Sequence, residues 1–140
     1  MLPQSLPGIR RIYFTMCASL PPYVMLTGIC GGAVAMYRDS LEKIPFAGVP
    51  TLKCDGTVVN GSRQEKSTLE FRSSLRLPEG VGIAFVVECV NGTSWLIGSR
   101  EPNYPVVEYS DFSGDPTGSA AVRTYKITHI GIKSAIPVVL

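Results

Sequence analysis

Residues 66–77 alternate almost without a break, with Lys66, Thr68, Glu70, Arg72, Ser74 and Arg76 on one side and Leu69, Phe71, Leu75 and Leu77 on the other. Successive side chains of an extended chain point to opposite sides, so a period of two marks a strand with one wet and one dry face. At about 3.3 Å per residue such a segment reaches roughly 40 Å, about twice a common strand. Part of it is expected to project beyond the core of a small domain, and a projecting strand needs something to lie against. The pattern therefore predicts a β domain that assembles with copies of itself or with neighbours.

The rest of the composition fits that expectation. The chain of 140 residues is long enough for a single β domain that buries about two-thirds of its unfolded surface. Its 13 basic and 11 acidic residues are spread along the sequence and leave a net charge of +2. That is no electrostatic footprint for tight nucleic-acid binding or for an anionic membrane. Only 17% of residues are charged and 45% are apolar, which leaves little charge to cover the surface and points to apolar area buried between subunits.

The cysteines at 17, 30, 54 and 89 show neither a Cys-x-x-Cys pair nor a histidine pair beside them, so no zinc site is expected. Residues 1–7 lack a basic start followed by an apolar run, so no secretory signal is read and reduced thiols are expected. Residues 13–37 are apolar but are interrupted by Pro21, Pro22, Gly28, Gly31 and Gly32. No window gives the roughly 20 apolar residues of a spanning helix, and no membrane partner is expected.

Along the chain, residues 1–8 read as an irregular arm and 9–17 as a first strand. Strands are expected over 23–27 and 33–37 with Gly31-Gly32 as the turn, and one helical turn over 39–44, capped by Asp39 and ended by Pro45. Residues 49–54 are extended. Asp55-Gly56 and Asn60-Gly61 bracket a loop or hairpin tip feeding the long strand. Residues 82–90 and 93–98 form the clearest hairpin, with Asn91-Gly92 as a two-residue turn. That turn pairs Glu88 with Trp95, Val86 with Ile97 and Val87 with Leu96, and places Phe85, Val87 and Leu96 inward. Residues 104–109 form a strand, 111–119 a long loop, and 121–132 a strand on which neither face is a clean core. The uncharged segment 134–140 is expected to dock, since left in water it would invite aggregation.

No catalytic constellation appears. His129, the single histidine, has no cysteine or serine nearby in sequence with which to form a nucleophile–base pair. Glu108, Asp111 and Asp115 lack the ladder of a calcium loop and read as a solvated acidic turn. Asn60-Gly61-Ser62 and Asn91-Gly92-Thr93 match a glycosylation pattern but are equally Asn-Gly turns. Gly28, Gly31 and Gly32 lack the context of a phosphate loop, and Arg10-Arg11 is too short for a basic patch. No metal, cofactor or catalytic residue is expected.

The order of certain segments carries a resemblance. Leu6-Pro7-Gly8-Ile9-Arg10, Leu20-Pro21-Pro22, Ile44-Pro45-Phe46-Ala47-Gly48, the hairpin from Val90-Asn91-Gly92 through Trp95-Leu96-Ile97-Gly98, Glu101-Pro102-Asn103-Tyr104-Pro105 and Arg123-Thr124-Tyr125-Lys126-Ile127-Thr128-His129 resemble small structural proteins of tailed bacteriophages and prophages of gut anaerobes. The resemblance covers most of the chain. It implies a non-enzymatic virion component of the tail or the head-to-tail connector, made in the host cytoplasm and located in the particle, with neighbouring virion proteins as partners.

Together these readings predict an all-β, antiparallel sandwich or barrel-like domain with a long projecting hairpin and at most one short helix. It would form a homo-oligomeric ring or tube. Lys66, Glu70, Arg72, Arg76, Glu88, Trp95, Arg123 and Tyr125 are the candidate interface residues. The alternative is a binding module for a host surface or a carbohydrate, with Trp95, Tyr104 and Tyr109 as stacking platforms.

Overall fold

The computed structural model describes residues 8–21, 24–100, 104–112, 122–131 and 134–140. Residues 1–7 of the expected arm and 113–119 of the expected loop, Asp115 included, lie outside the described residues, whereas Asp111 and Phe112, expected in that loop, continue β8. Among the described residues ten strands form two sheets packed together, in keeping with the alternating pattern. They are β1 (Ile9–Met16), β2 (Val34–Ala35), β3 (Glu42–Ile44), β4 (Ala47–Val59), β5 (Ser62–Ser73), β6 (Ile83–Cys89), β7 (Ser94–Ile97), β8 (Val106–Phe112), β9 (Val122–Gly131) and β10 (Ile136–Val139). One sheet runs in the order β2-β10-β7-β6-β1-β3 and the other β4-β5-β9-β8.

The core between the sheets is built from alternate residues of facing strands. Ile12, Phe14, Ile83, Phe85, Val87 and Ile97 of the six-stranded sheet meet Leu69, Phe71, Tyr125 and Ile127 of the four-stranded sheet. The six-stranded sheet is dry on its other face too. There Tyr13, Ala84, Val86, Leu96, Ile136 and Val138 pack with Cys17, Leu20, Val24, Met36 and Leu41 of the segment between β1 and β3. Burial on both faces explains why β6 is a continuous apolar run in which every residue except Glu88 is hydrophobic and all are buried.

That covering segment departs from the sequence reading. Residues 23–27 were expected to be extended, yet Val24–Ile29 form a short helix, α1. Its end has a physical reason: Gly31, at φ +81°, takes the left-handed conformation, and the Gly32 N–H closes onto the Thr27 carbonyl at 2.9 Å. This is the glycine-terminated helix end that also satisfies the last carbonyls. The expected helical turn over 39–44 shrinks to a single 3-10 turn, Arg38–Ser40, after which Glu42–Ile44 pairs with β1.

The long strand begins four residues earlier than its alternation suggested. Ser67, Leu69, Phe71 and Ser73 point inward and Lys66, Glu70 and Arg72 outward, as the period of two demands. Asn60 (φ +52°) and Gly61 (φ +79°) make the two-residue turn between β4 and β5, since both positions need the left-handed region. Asp55-Gly56 is not a turn but part of β4, opposite Lys66 and Glu65. β9 stays alongside β5 as far as the Glu65–Gly131 pair, so only the pairs Thr57–Gln64, Val58–Arg63 and Val59–Ser62 run past it. The tip that clears the third strand is therefore roughly 10 Å long, not a long free arm.

The β6–β7 register differs by one from the expected one. Phe85 pairs with Ile97, Val86 with Leu96, Val87 with Trp95 and Glu88 with Ser94. The cause is the turn. Gly92 N–H bonds the Cys89 carbonyl at 3.0 Å, and Gly92 sits at φ +91°, so three residues rather than two form the loop. The slip sends Leu96 to the outer layer and Trp95 to the edge of the inter-sheet core, because a one-residue shift flips every side chain.

β9 also differs from expectation, since its Tyr125, Ile127 and His129 face is fully buried. The polar tips are satisfied there. Tyr125 donates to the Leu75 carbonyl at 2.9 Å and accepts from the Leu77 N–H at 3.1 Å, and the His129 Nδ1–H donates to the Ser134 carbonyl at 3.1 Å.

Candidate functional site

Three features stand out from a well-packed sandwich. The first is a cavity of about 510 Å³ at the end of the sandwich where residues 77–83 cross from one sheet to the other. β8 and β9 supply its far wall with Tyr109, Arg123 and Tyr125, and Tyr104 closes one side. The ring of Tyr104 lies against the Gly82 backbone so closely that an added Cβ would stand 3.0 Å from it. The Arg123 guanidinium lies over the Tyr109 ring, 3.8 Å from its centroid, and 3.9 Å from the Glu79 carboxylate. Tyr104 and Tyr109 are about half exposed, whereas Tyr125 is buried behind them, stacked on Phe71 at 5.3 Å. Chemically this is a half-open aromatic recess with a cation on one wall. Such a recess offers ring faces and a cation on which planar or sugar-like groups can stack.

The second feature is a charge cluster. Glu88 is buried on the outer-layer face of β6, where Arg38 reaches it at 2.9 Å, Arg11 at 3.5 Å and the Tyr13 hydroxyl at 3.4 Å. Arg11 comes from the adjacent β1, directly opposite Glu88, and Arg38 from the 3-10 turn, so the cluster ties the covering segment to the sheet. A carboxylate removed from water is tolerated because both arginines keep part of their side chains in solvent. The third is a polar chain at the opposite end from the cavity. Ser67 Oγ lies 2.7 Å from Ser134 Oγ and 3.1 Å from Cys54 Sγ, and the Ser134 N–H bonds Glu65 at 3.2 Å. His129 pairs with Ser67 in register, but its Nδ1 bonds backbone. The hydrogen bonds of this chain run between elements and fasten the lead into β10 onto β5 and β9.

The expected interface residues therefore fall into separate groups. Lys66, Glu70 and Arg72 stand exposed on the outer face of the four-stranded sheet, and Arg76 is exposed just beyond β5. Glu88 and Tyr125 are buried within this chain, Glu88 because the segment between β1 and β3 covers the outer face of β6 and Tyr125 because its face of β9 lies on the inter-sheet core, and Trp95 packs against that core. Arg123 lines the cavity. Of the expected stacking residues, Tyr104 and Tyr109 come together and Trp95 does not join them. Sequence reasoning missed Gly82 as the floor beneath Tyr104. The signal was there only in the absence of a side chain.

Burial pushes the thiols of Cys17 and Cys89 above their ordinary range, offset in part by hydrogen bonds from the Ser99 backbone and the Thr93 side chain respectively. Cys30 and Cys54 are exposed and all four cysteines are free thiols. Among the described residues no group of three or more His, Cys, Asp and Glu could hold a metal ion, and no helix is long and apolar enough to cross a membrane. No protein-family model, curated protein or solved structure matches the chain.

Proposed function

We propose that this chain is a non-enzymatic structural subunit that assembles with copies of itself, as a ring or tube in the tail or head-to-tail connector of a tailed phage. The single observation that supports self-assembly is the open four-stranded sheet. Both of its outer strands, β4 and β8, lack a partner on one side within the described chain, and Val58, Val106 and Tyr109 stand exposed along them. An edge strand is a row of unpaired N–H and C=O groups that invites pairing with another chain. The phage setting rests on the resemblance of the sequence segments, and neighbouring virion proteins are proposed as partners on the same ground.

The test is the mass of the purified protein by light scattering across a range of concentrations, with Glu70→Lys and Arg72→Glu as a paired reversal on the exposed β5 face. A defined multimer is expected, and a monomer at every concentration would overturn the proposal. A second reading, a binding module, draws on the cavity lined by Tyr104, Tyr109 and Arg123. Binding of a monosaccharide or glycan panel by the chain, lost in Tyr109→Ala, would favour it.

A further inference from the structure

We infer that two copies of this chain join through β4, aligned antiparallel about a two-fold axis at Cys54. The inference rests on the self-assembly reading and names one contact of it, a closed pair; a ring or tube adds a second, head-to-tail contact elsewhere on the chain. The pair Val59–Ser62 closes the two-residue turn, so β4 residues 59, 57, 55, 53 and 51 direct their backbone groups to β5. By the same alternation Leu52, Cys54, Gly56 and Val58 direct theirs to the free edge. Residues 53–58 are all exposed, so nothing in the described chain covers that stretch.

Registers of β4 against a second β4 can be ranked by what they place face to face. Centring the axis on Cys54 sets Lys53 opposite Asp55 twice, Thr51 opposite Thr57 twice and Leu52 opposite Gly56. The outward face reads Thr51, Lys53, Asp55, Thr57, a row that complements itself when reversed. Opposite charges and Thr–Thr pairs directly across strands are favourable, and like charges are not. Moving the centre to Lys53 or to Asp55 sets two like charges against each other. Centring on Leu52 sets Pro50, which has no N–H to donate, opposite the outward-bonding Cys54. Centring on Gly56 pairs Asp55 with Thr57 and carries the strand into the turn. The Cys54 register is thus the one in which the charges agree and the central backbone pairs are intact; regular hydrogen bonding stops at both ends beyond the Leu52–Gly56 pairs, where Pro50 falls opposite Val58 and β4 departs from regular pairing with β5.

Cys54 and its symmetry mate then form a hydrogen-bonded pair with Cα atoms about 5.5 Å apart, within disulfide reach. The same Sγ lies beside Ser67 on the inward side of the sheet. The test uses the full chain with Cys30→Ser, which removes the other exposed thiol. Oxidised glutathione is the oxidant, and the two Cys54 thiols give up two protons and two electrons to it. A covalent dimer is expected, lost when Cys54→Ser is added. In parallel, Lys53→Asp should weaken association about tenfold by setting aspartates against aspartates, and adding Asp55→Lys should restore it to within about threefold. A multimer that neither crosslinks at Cys54 nor responds to Lys53→Asp overturns the β4 register while self-assembly stands. A monomer in all variants overturns both.

Discussion

Tyr125→Phe removes one oxygen from the core and should be among the most costly single-atom changes in this protein. The hydroxyl serves the crossing segment twice, donating to the Leu75 carbonyl and accepting from the Leu77 N–H. The ring stays, with its stacking on Phe71 at 5.3 Å and its place beside Ile127. What is lost is therefore polar. The buried Leu77 N–H is left without a partner at about 1–3 kcal/mol, and the partly buried Leu75 carbonyl loses a bond worth about 1 kcal/mol. Their sum is about 2–4 kcal/mol. For urea unfolding with a slope of roughly 2 kcal/mol per molar, the midpoint should fall by about 1–2 M with the slope unchanged. Tyr109→Phe is the control, since that side chain is half exposed and its loss should stay within about 0.5 kcal/mol. A Tyr125→Phe midpoint within about 0.3 M of the parent would refute the claim that this hydroxyl holds the crossing in place.

Glu88→Ala should destabilise by about 1–3 kcal/mol, less than for a fully enclosed pair because Arg38 and Arg11 can return to water; raised salt should leave most of the loss intact, which chemical denaturation at two ionic strengths would show. Gly98→Ala sets a methyl 2.7 Å from Ala84 Cβ at a backbone φ of +139°, so a loss of at least about 2 kcal/mol and a matching fall in melting temperature are expected. Thiol labelling of the native chain should proceed quickly at Cys30 and Cys54, with Cys17 and Cys89 reacting only on unfolding. Burial raises the folded pKa of Cys17 and Cys89, so the unfolded chain ionises first as pH rises. Stability from these two thiols is therefore present at neutral pH and lost in the alkaline range, which a denaturation series across that range would detect.

The alternation in residues 66–77 revealed the sandwich because burial on one face leaves a mark at every second residue, and within β5 that mark runs from Ser67 to Ser73 while the first turn-proximal residues, all polar, carry none. Where both faces are buried the mark vanishes. β6 reads as apolar throughout, so its register rested on a turn. The choice between a two- and a three-residue loop at Asn91-Gly92 depends on the backbone of Gly92, not on side-chain pattern. β9 was obscured differently: Tyr125 and His129 look polar, but Tyr125 hides its hydroxyl against backbone far away in sequence, at Leu75 and Leu77, and His129 turns its Nδ1 to the Ser134 carbonyl just past the strand's end. The helix at Val24–Ile29 escaped notice because its sequence, with three β-branched residues and Gly28 among six, has weak helix propensity. Tertiary packing of Val24 outweighs that. Of the cavity, the tyrosines and Arg123 were legible as unusual residues, but their convergence with Gly82 depends on the crossing that joins the two sheets.

The pairing of Val34 with Val138 in the parallel β2–β10 contact brings together residues near opposite ends of the sequence, with β10 wedged between β2 and β7. A two-residue strand cannot hold its own place, so β2 has no sheet to join until β10 has docked. Closing so long a loop costs chain entropy before any contact repays it. The six-stranded sheet should accordingly be the slow step of folding, with the local β4–β5 and β8–β9 hairpins forming ahead of it. Until then the β7 edge stands open, and a crowded, newly made population would be most prone at that moment to pair with the wrong copy.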